Sequence, residues 1–282
     1  MELLNKGVPI STLVFVVSSM LAVGLSLTVG QIVAPLRNAR LVLLALLANF
    51  VVMPLGTFAI EHLLRLDKSL AIGLLLLGTA AGAPFLPKLA QIAKGNLAFA
   101  VGLMVLLMVV TVAFMPLVLP LLLEGVSVDP LKIVKSLILL MLLPLAVGLA
   151  IKARFETAAA RAQPVLNGIS TLSLLLLTIL IWVVNFDKIL GIFGTRGILG
   201  GILFLLLGLG IGYLFGGPGL DTRGVMALGT AQRNIAAALL VGGQNFTDPN
   251  VVVILIVVAG VGLLILLPFA RILAKRNTEQ VV

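Results

Sequence analysis

Cysteine is absent from this 282-residue chain, histidine, tryptophan and tyrosine each occur once, and charged residues make up only 10%. The missing cysteine excludes disulfides, thiolate metal sites and a cysteine nucleophile. The single histidine, His62, leaves no imidazole cluster for a metal; beside Glu61 and Arg65 at the end of an apolar stretch, it reads as interfacial. No Ser-rich linker or low-complexity tract divides the sequence, so residues 1–282 read as one domain. The net charge of +9 raises nucleic acid as a partner, but no basic run carries interleaved aromatics, and that class drops out. No nucleophile, base and orienting group stand at a workable spacing, and no carboxylates pair within the apolar stretches, so an enzyme is not expected.

What is abundant is hydrocarbon. Hydrophobic residues make up 61% of the chain and mean hydropathy is +1.28, against roughly 45–50% apolar residues in soluble domains. The apolar runs approach the ~20 residues a helix needs to cross ~30 Å of bilayer, and strict alternation is missing. The expected fold is therefore an all-α integral membrane protein. Nine segments qualify: 10–30, 41–60, 69–93, 97–123, 131–151, 164–186, 197–216, 222–244 and 250–274. The first has no clear small-residue cleavage site and reads as a span rather than a removed signal peptide. Lys and Arg orient the bundle. Arg37, Arg40, Lys94, Lys152, Arg154, Arg161, Arg223, Arg271, Lys275 and Arg276 outweigh Lys6, Arg65, Lys68, Lys132, Lys135, Lys188 and Arg196, which places the N-terminus outside and the C-terminus in the cytoplasm of a multi-pass inner-membrane protein.

Two segments are unlike the rest. In 69–93 the helix-breaking residues Gly78, Gly82, Pro84 and Pro87 crowd together; in 222–244 Gln232, Arg233 and Asn234 form a polar triplet after Gly229. Each segment carries the tetrapeptide Leu-Gly-Thr-Ala, at Leu77–Ala80 and Leu228–Ala231, followed by a lone cation, Lys88 or Arg233. A charge near the bilayer centre costs about 2.5–3.5 kcal/mol, and irregular residues in matching places of two halves point to a transporter's binding site. Blander readings stand beside this one. The prolines can be packing kinks like those expected at Pro54, Pro116, Pro144 and Pro268, the triplet an interhelical clamp, and the cations can snorkel to the edge.

The stretch from Gly73 to Asn96, with its Gly-Thr-Ala-Ala-Gly-Ala core and closing Ala93-Lys94-Gly95-Asn96, resembles the first broken helix of the bile acid:sodium symporter family. Gly229 to Asn234 resembles the second, and Gly24-Leu25-Ser26-Leu27 with Asn49-Phe50-Val51-Val52-Met53-Pro54 fits the early spans. The resemblance implies panel and core domains built from inverted repeats, two broken helices crossing at the centre, alternating access, and sodium-coupled uptake of organic anions. Departures accompany it. The family's Glu and Gln of the second motif fall on Gly229 and Arg233, while Asn234 keeps its Asn; the Ser-Asn pair of the first falls on Leu86 and Pro87; hydroxyl ligands fall on Ala100 and Met104; and a Gln becomes Asn49.

Sodium needs several oxygen ligands, and most have gone. The expectation is a secondary active transporter of a small organic anion in which Lys88 and Arg233 take over the electrostatic role of two sodium ions. Thr79, Thr230, Gln232, Asn234 and Asn49 would add hydrogen-bonding groups, and Arg233 would take a carboxylate bidentately. No cofactor or metal is expected. Sodium coupling through an altered site and proton coupling through Lys88 stay open, as does a non-transporting sensor. The partners are the bilayer and the anion, with no oligomeric state assigned.

Overall fold

The computed structural model describes residues 2–123, 129–184 and 186–279; the side chains of residues 2–6, 35–36, 188–190, 193 and 278–279 are not described. Lys6 and Lys188, counted above for orientation, fall among these, as does the Pro35 ring. Among the described residues every regular element is helical. The helices are α1 (Glu2–Ser26), α2 (Ala39–Leu64), α3 (Lys68–Thr79), α4 (Leu86–Ile92), α5 (Leu97–Leu122), α6 (Pro130–Arg154), α7 (Glu156–Val184), α8 (Phe186–Gly194), α9 (Gly197–Phe215), α10 (Leu220–Ala231), α11 (Ile235–Asn245) and α12 (Pro249–Glu279). A short helix, Val29–Val33, and a 3-10 turn, Ala34–Arg37, join α1 to α2.

Among the described residues, eight stretches are long and apolar enough to cross a membrane, counting α10 and α11 as one. This is an all-α, multi-pass membrane protein. The expected span 69–93 is interrupted, as its glycines and prolines indicate. Its first part, α3, has 12 residues and covers only about 18 Å at 1.5 Å per residue. The expected span 164–186 starts earlier, at Glu156, because Pro164 is accommodated inside α7, and the short helix α8 comes after it unforeseen.

The helices form two groups. In one, α1 packs along α6 and α7. A Cβ on Gly24 would stand 2.3 Å from the Leu145 carbonyl oxygen, so the α1 and α6 backbones touch where side chains would hold them apart. The other group holds α2 to α5 and α9 to α12. There α9 lies directly on α10, and a Cβ on Gly212 would come within 2.3 Å of Met226 O. That contact fixes α10, which leads into the polar triplet.

Prolines act differently in different helices. Pro116 and Pro268 lie inside α5 and α12. Pro54 and Pro144 each come just after a π-helical turn, Ala48–Val52 in α2 and Ile138–Leu142 in α6. The missing proline amide breaks the regular ladder, and the turn before it widens to i→i−5 bonding: Met53 N–H donates to Ala48 O and Leu143 N–H to Ile138 O.

Candidate functional site: the crossing of two helix breaks

Chain order and burial put the two irregular segments against one another. At the first, α3 ends on Thr79, and the Ala80 amide reaches back to Leu76 O at 3.0 Å and Leu77 O at 3.1 Å. The next backbone groups need outside partners. Ala81 finds them in one side chain: its N–H donates to Thr111 Oγ1 at 2.9 Å, and the Thr111 hydroxyl donates to Ala81 O at 3.0 Å. Gly82 turns the chain at φ +82°, where a Cβ would lie 2.3 Å from Met108 N of α5. Only glycine fits both the dihedral and the approach.

The second break is shorter. Helix α10 ends at Ala231, and Asn234 caps α11 by accepting from the Ala237 amide at 3.1 Å. Asn234 also stitches the breaks together. Its N–H donates to Ala80 O at 2.9 Å and its Nδ2 to Gly82 O at 3.1 Å.

Between these ties lies Arg233, 3% exposed. Nε donates to Leu77 O at 2.9 Å; Nη1 to Asn49 Oδ1 at 2.7 Å and Thr230 O at 3.2 Å; Nη2 to Gly78 O at 2.9 Å and, over 3.5 Å, to Asn49 O. These acceptors share a local origin. Leu77, Gly78 and Thr230 sit in the last turns of α3 and α10, where carbonyls lose their i+4 donors, Leu77 O keeping only a share of the Ala80 amide, and the helix dipole is negative. The Asn49 carbonyl is free because Met53 N–H goes to Ala48 O and the next residue, Pro54, has no amide hydrogen. Asn49 Nδ2 is held by Ala45 O at 3.0 Å and by Thr230 Oγ1 at 3.2 Å, which fixes its oxygen toward the guanidinium. The result is a buried cation solvated by dipoles and still carrying its net charge, with no carboxylate among its partners.

Other expected residues fall elsewhere. Lys88 is exposed on α4, its Nζ 3.3 Å from Gln91 Oε1; Leu86, Leu89 and Ala90 fill the buried face of that helix, so the lysine points away from them and takes no part in the Arg233 cluster. The expected bidentate grip of Arg233 on a ligand is replaced in this arrangement by protein oxygens, because all five guanidinium N–H groups have partners. The Thr79 hydroxyl turns back on its own helix, 2.9 Å from Leu75 O. Gly78 and Gly229 lie inside α3 and α10 rather than at the breaks, and serve close packing: a Cβ on Gly78 would stand 2.6 Å from Thr57 Oγ1, and one on Gly229 2.9 Å from a Leu86 methyl. Pro84 lies within the break, whereas Pro87 sits in the first turn of α4, where no amide hydrogen is needed. Gln232 is half-buried beside Arg233, and its Oε1 is buried without a hydrogen-bond partner.

Sequence reasoning missed Thr111. Its signal is its position as the one polar side chain in the apolar helix Leu97–Leu122.

The sequence model of the Sodium Bile acid symporter family matches residues 13–192. The chain belongs to this family. Among curated proteins it is similar to the probable sodium/metabolite cotransporter BASS1, chloroplastic, of Arabidopsis thaliana, with 26% identity over 249 residues, 87% of this chain and 62% of that protein. It is also similar to the uncharacterized sodium-dependent transporter YocS of Bacillus subtilis (strain 168), with 27% identity over 204 residues, 70% of this chain and 60% of that protein. The chain thus spans less than two thirds of the length of these relatives. The family match ends before α9, so the polar triplet lies outside the matched stretch.

Proposed function

We propose that this protein is a secondary transporter of a small organic anion, working by alternating access, in which the Arg233 guanidinium serves as a built-in cation at the crossing. Family membership supports transport. The observation that carries the finer reading is the oxygen set around Arg233: Leu77 O, Gly78 O, Thr230 O, Asn49 O and Asn49 Oδ1. Such a set of carbonyl oxygens suits a hard cation, yet the guanidinium already fills it and no carboxylate contributes. The residues present therefore do not fit a sodium ion at this point.

A permanent positive charge in a site of low dielectric attracts an anion without direct contact, because the field is little screened there. The carbonyls orient the guanidinium, Asn234 and Thr111 fix the broken backbone, and the Gln232 carboxamide remains for the ligand's own hydrogen-bonding group. Arg233 thus acts on the anion by charge. With Lys88 exposed, the proposal rests on one buried cation rather than two.

The test uses a panel of small carboxylates and sulfonates, screened for thermal stabilisation of the purified full chain in choline and in sodium buffer. A ligand that binds only the folded state raises the melting temperature by mass action. The best stabiliser is then used, radiolabelled, for counterflow in proteoliposomes. Equal stabilisation in both buffers, with exchange, is the expected result. Stabilisation that needs sodium overturns the built-in cation, and stabilisation without exchange identifies a binding protein in place of a transporter.

A further inference from the structure

Only two charged side chains are buried among the described residues: Arg233, and Glu61, which is 7% exposed. Glu61 lies far from the crossing, at the other end of the same helical stripe. Asn49, Met53, Thr57 and Glu61, spaced by four, are all buried on one side of α2. Thr57 packs on Gly78 at the C-terminal end of α3. Glu61 instead faces a cavity of about 370 Å³ lined by Phe58, His62, Lys68, Ala71, Ile72 and Leu75, closed from α5 by Leu122 and Leu123. Helix α3 is therefore bracketed, with Arg233 on its last carbonyls and a carboxylate beside its first turns. Both charges have the sign its dipole favours.

The Glu61 oxygens have different surroundings. Oε1 is 3.5 Å from His62 Nδ1, which itself lies 3.0 Å from Phe58 O. Oε2 is buried and has no hydrogen-bond partner. A buried, unpartnered carboxylate oxygen is costly when ionised and far less so when it carries a proton. The other titratable side chains lining the cavity are His62 on α2 and Lys68 on α3; Arg65 and Asp67 lie in the turn between them, Arg196 donates to Leu64 O and Asp248 accepts from the Ser69 hydroxyl at the same end of the two helices, and Glu124 lies outside the described residues. A protonated His62, 3.5 Å from Oε1, offsets part of the cost of the ionised state, so the pocket accommodates both forms. A metal ion is disfavoured, since the lining offers one carboxylate beside two basic side chains and no array of oxygens.

We propose that this cavity is a proton-binding site in which Glu61 Oε2 takes a proton from water and returns it, tying the protonation state to the position of α3. The proposal rests on the transport reading only for what the proton drives; the site itself can be tested without a substrate. The experiment is infrared difference spectroscopy on the purified full chain in sodium-free buffer, stepping pH in both directions. Wild type is expected to show a protonated-carboxyl C=O band that titrates with pH and shifts in D2O. Glu61→Gln should lose that band entirely, Glu61→Asp should keep it at a shifted frequency, and the exposed control Glu156→Gln should leave it unchanged. A band that survives in both Glu61 variants unaltered, or no titrating band in wild type, overturns the proposal. Should no anion of the panel stabilise the protein at any pH, the transport reading falls while the band still reports on Glu61.

Discussion

The two copies of Leu-Gly-Thr-Ala end their half-helices alike and then diverge. After Ala80 the backbone runs on through Gly82 and Pro84 to α4, and the groups this break offers its neighbour are acceptors: Leu77 O, Gly78 O, Ala80 O and Gly82 O. After Ala231 the break is three residues long, and its side chains and amides are donors, from Arg233 and Asn234. One break supplies oxygens and the other supplies N–H groups. Equal tetrapeptides therefore do not make equal halves; the chemistry lies in the residues C-terminal to each copy. An acceptor-rich break needs a cation or donors, and here the second break carries its own.

The comparison can be broken most severely at Arg233. Arg233→Met removes the charge and leaves several buried carbonyls unpaired, at ~1–3 kcal/mol for each orphaned acceptor. We expect a loss on the order of 4 kcal/mol, read as the largest fall in melting temperature in detergent. A small fall would mean that the carbonyls find other donors. Gly82→Ala attacks the acceptor-rich break instead, by placing a Cβ 2.3 Å from Met108 N at a φ of +82°; the cost is about 3 kcal/mol, from a strained dihedral and a backbone clash. Folded yield by size-exclusion chromatography measures it. Thr111→Val keeps the shape while cutting both hydrogen bonds to Ala81, for about 2 kcal/mol in thermal unfolding. Lys88→Gln sharpens the contrast between the two cations: an exposed side chain away from the crossing should change stability by less than about 0.5 kcal/mol. A larger change would return Lys88 to the site.

Composition and punctuation make much of this legible. Apolar run length marks the spans, and glycine with proline, or a polar triplet, marks the two segments that break. The sequence groups Asn49, Thr230, Arg233 and Asn234 in one site, and in the fold they meet. Lys88 carries the same weight as Arg233 only while the helical register beyond the expected break in segment 69–93 is left open. Once the chain breaks at residues 80–85, the register on the far side is set afresh by Leu86, Leu89 and Ala90, which turn Lys88 outward. Thr111 is invisible for another reason. A single hydroxyl in an apolar helix ordinarily satisfies its own i−4 carbonyl, and only the tertiary approach of Ala81 draws it away. The freed Asn49 carbonyl is legible in principle, from a proline five positions later, but its use depends on a partner from the far end of the chain. Glu61 shows the same limit: at the end of a span by sequence, it is buried because α3 and α5 close over it.

The main-chain bond from Asn234 to Ala80, doubled by the side-chain bond to Gly82, acts as a rivet. Parts fastened by a rivet turn together or not at all. A displacement of one break therefore carries the other with it, whereas the α1, α6 and α7 group meets the remainder along a seam of separate contacts. That seam is held at one end by Lys132 Nζ on Gln244 O at 2.6 Å and Ser136 Oγ on Gln244 Oε1 at 2.5 Å, at the exposed tip of α11. These two bonds are polar and within reach of water, and packing of α1 against α11 adds to them, so the rivet and the seam are built from different kinds of contact.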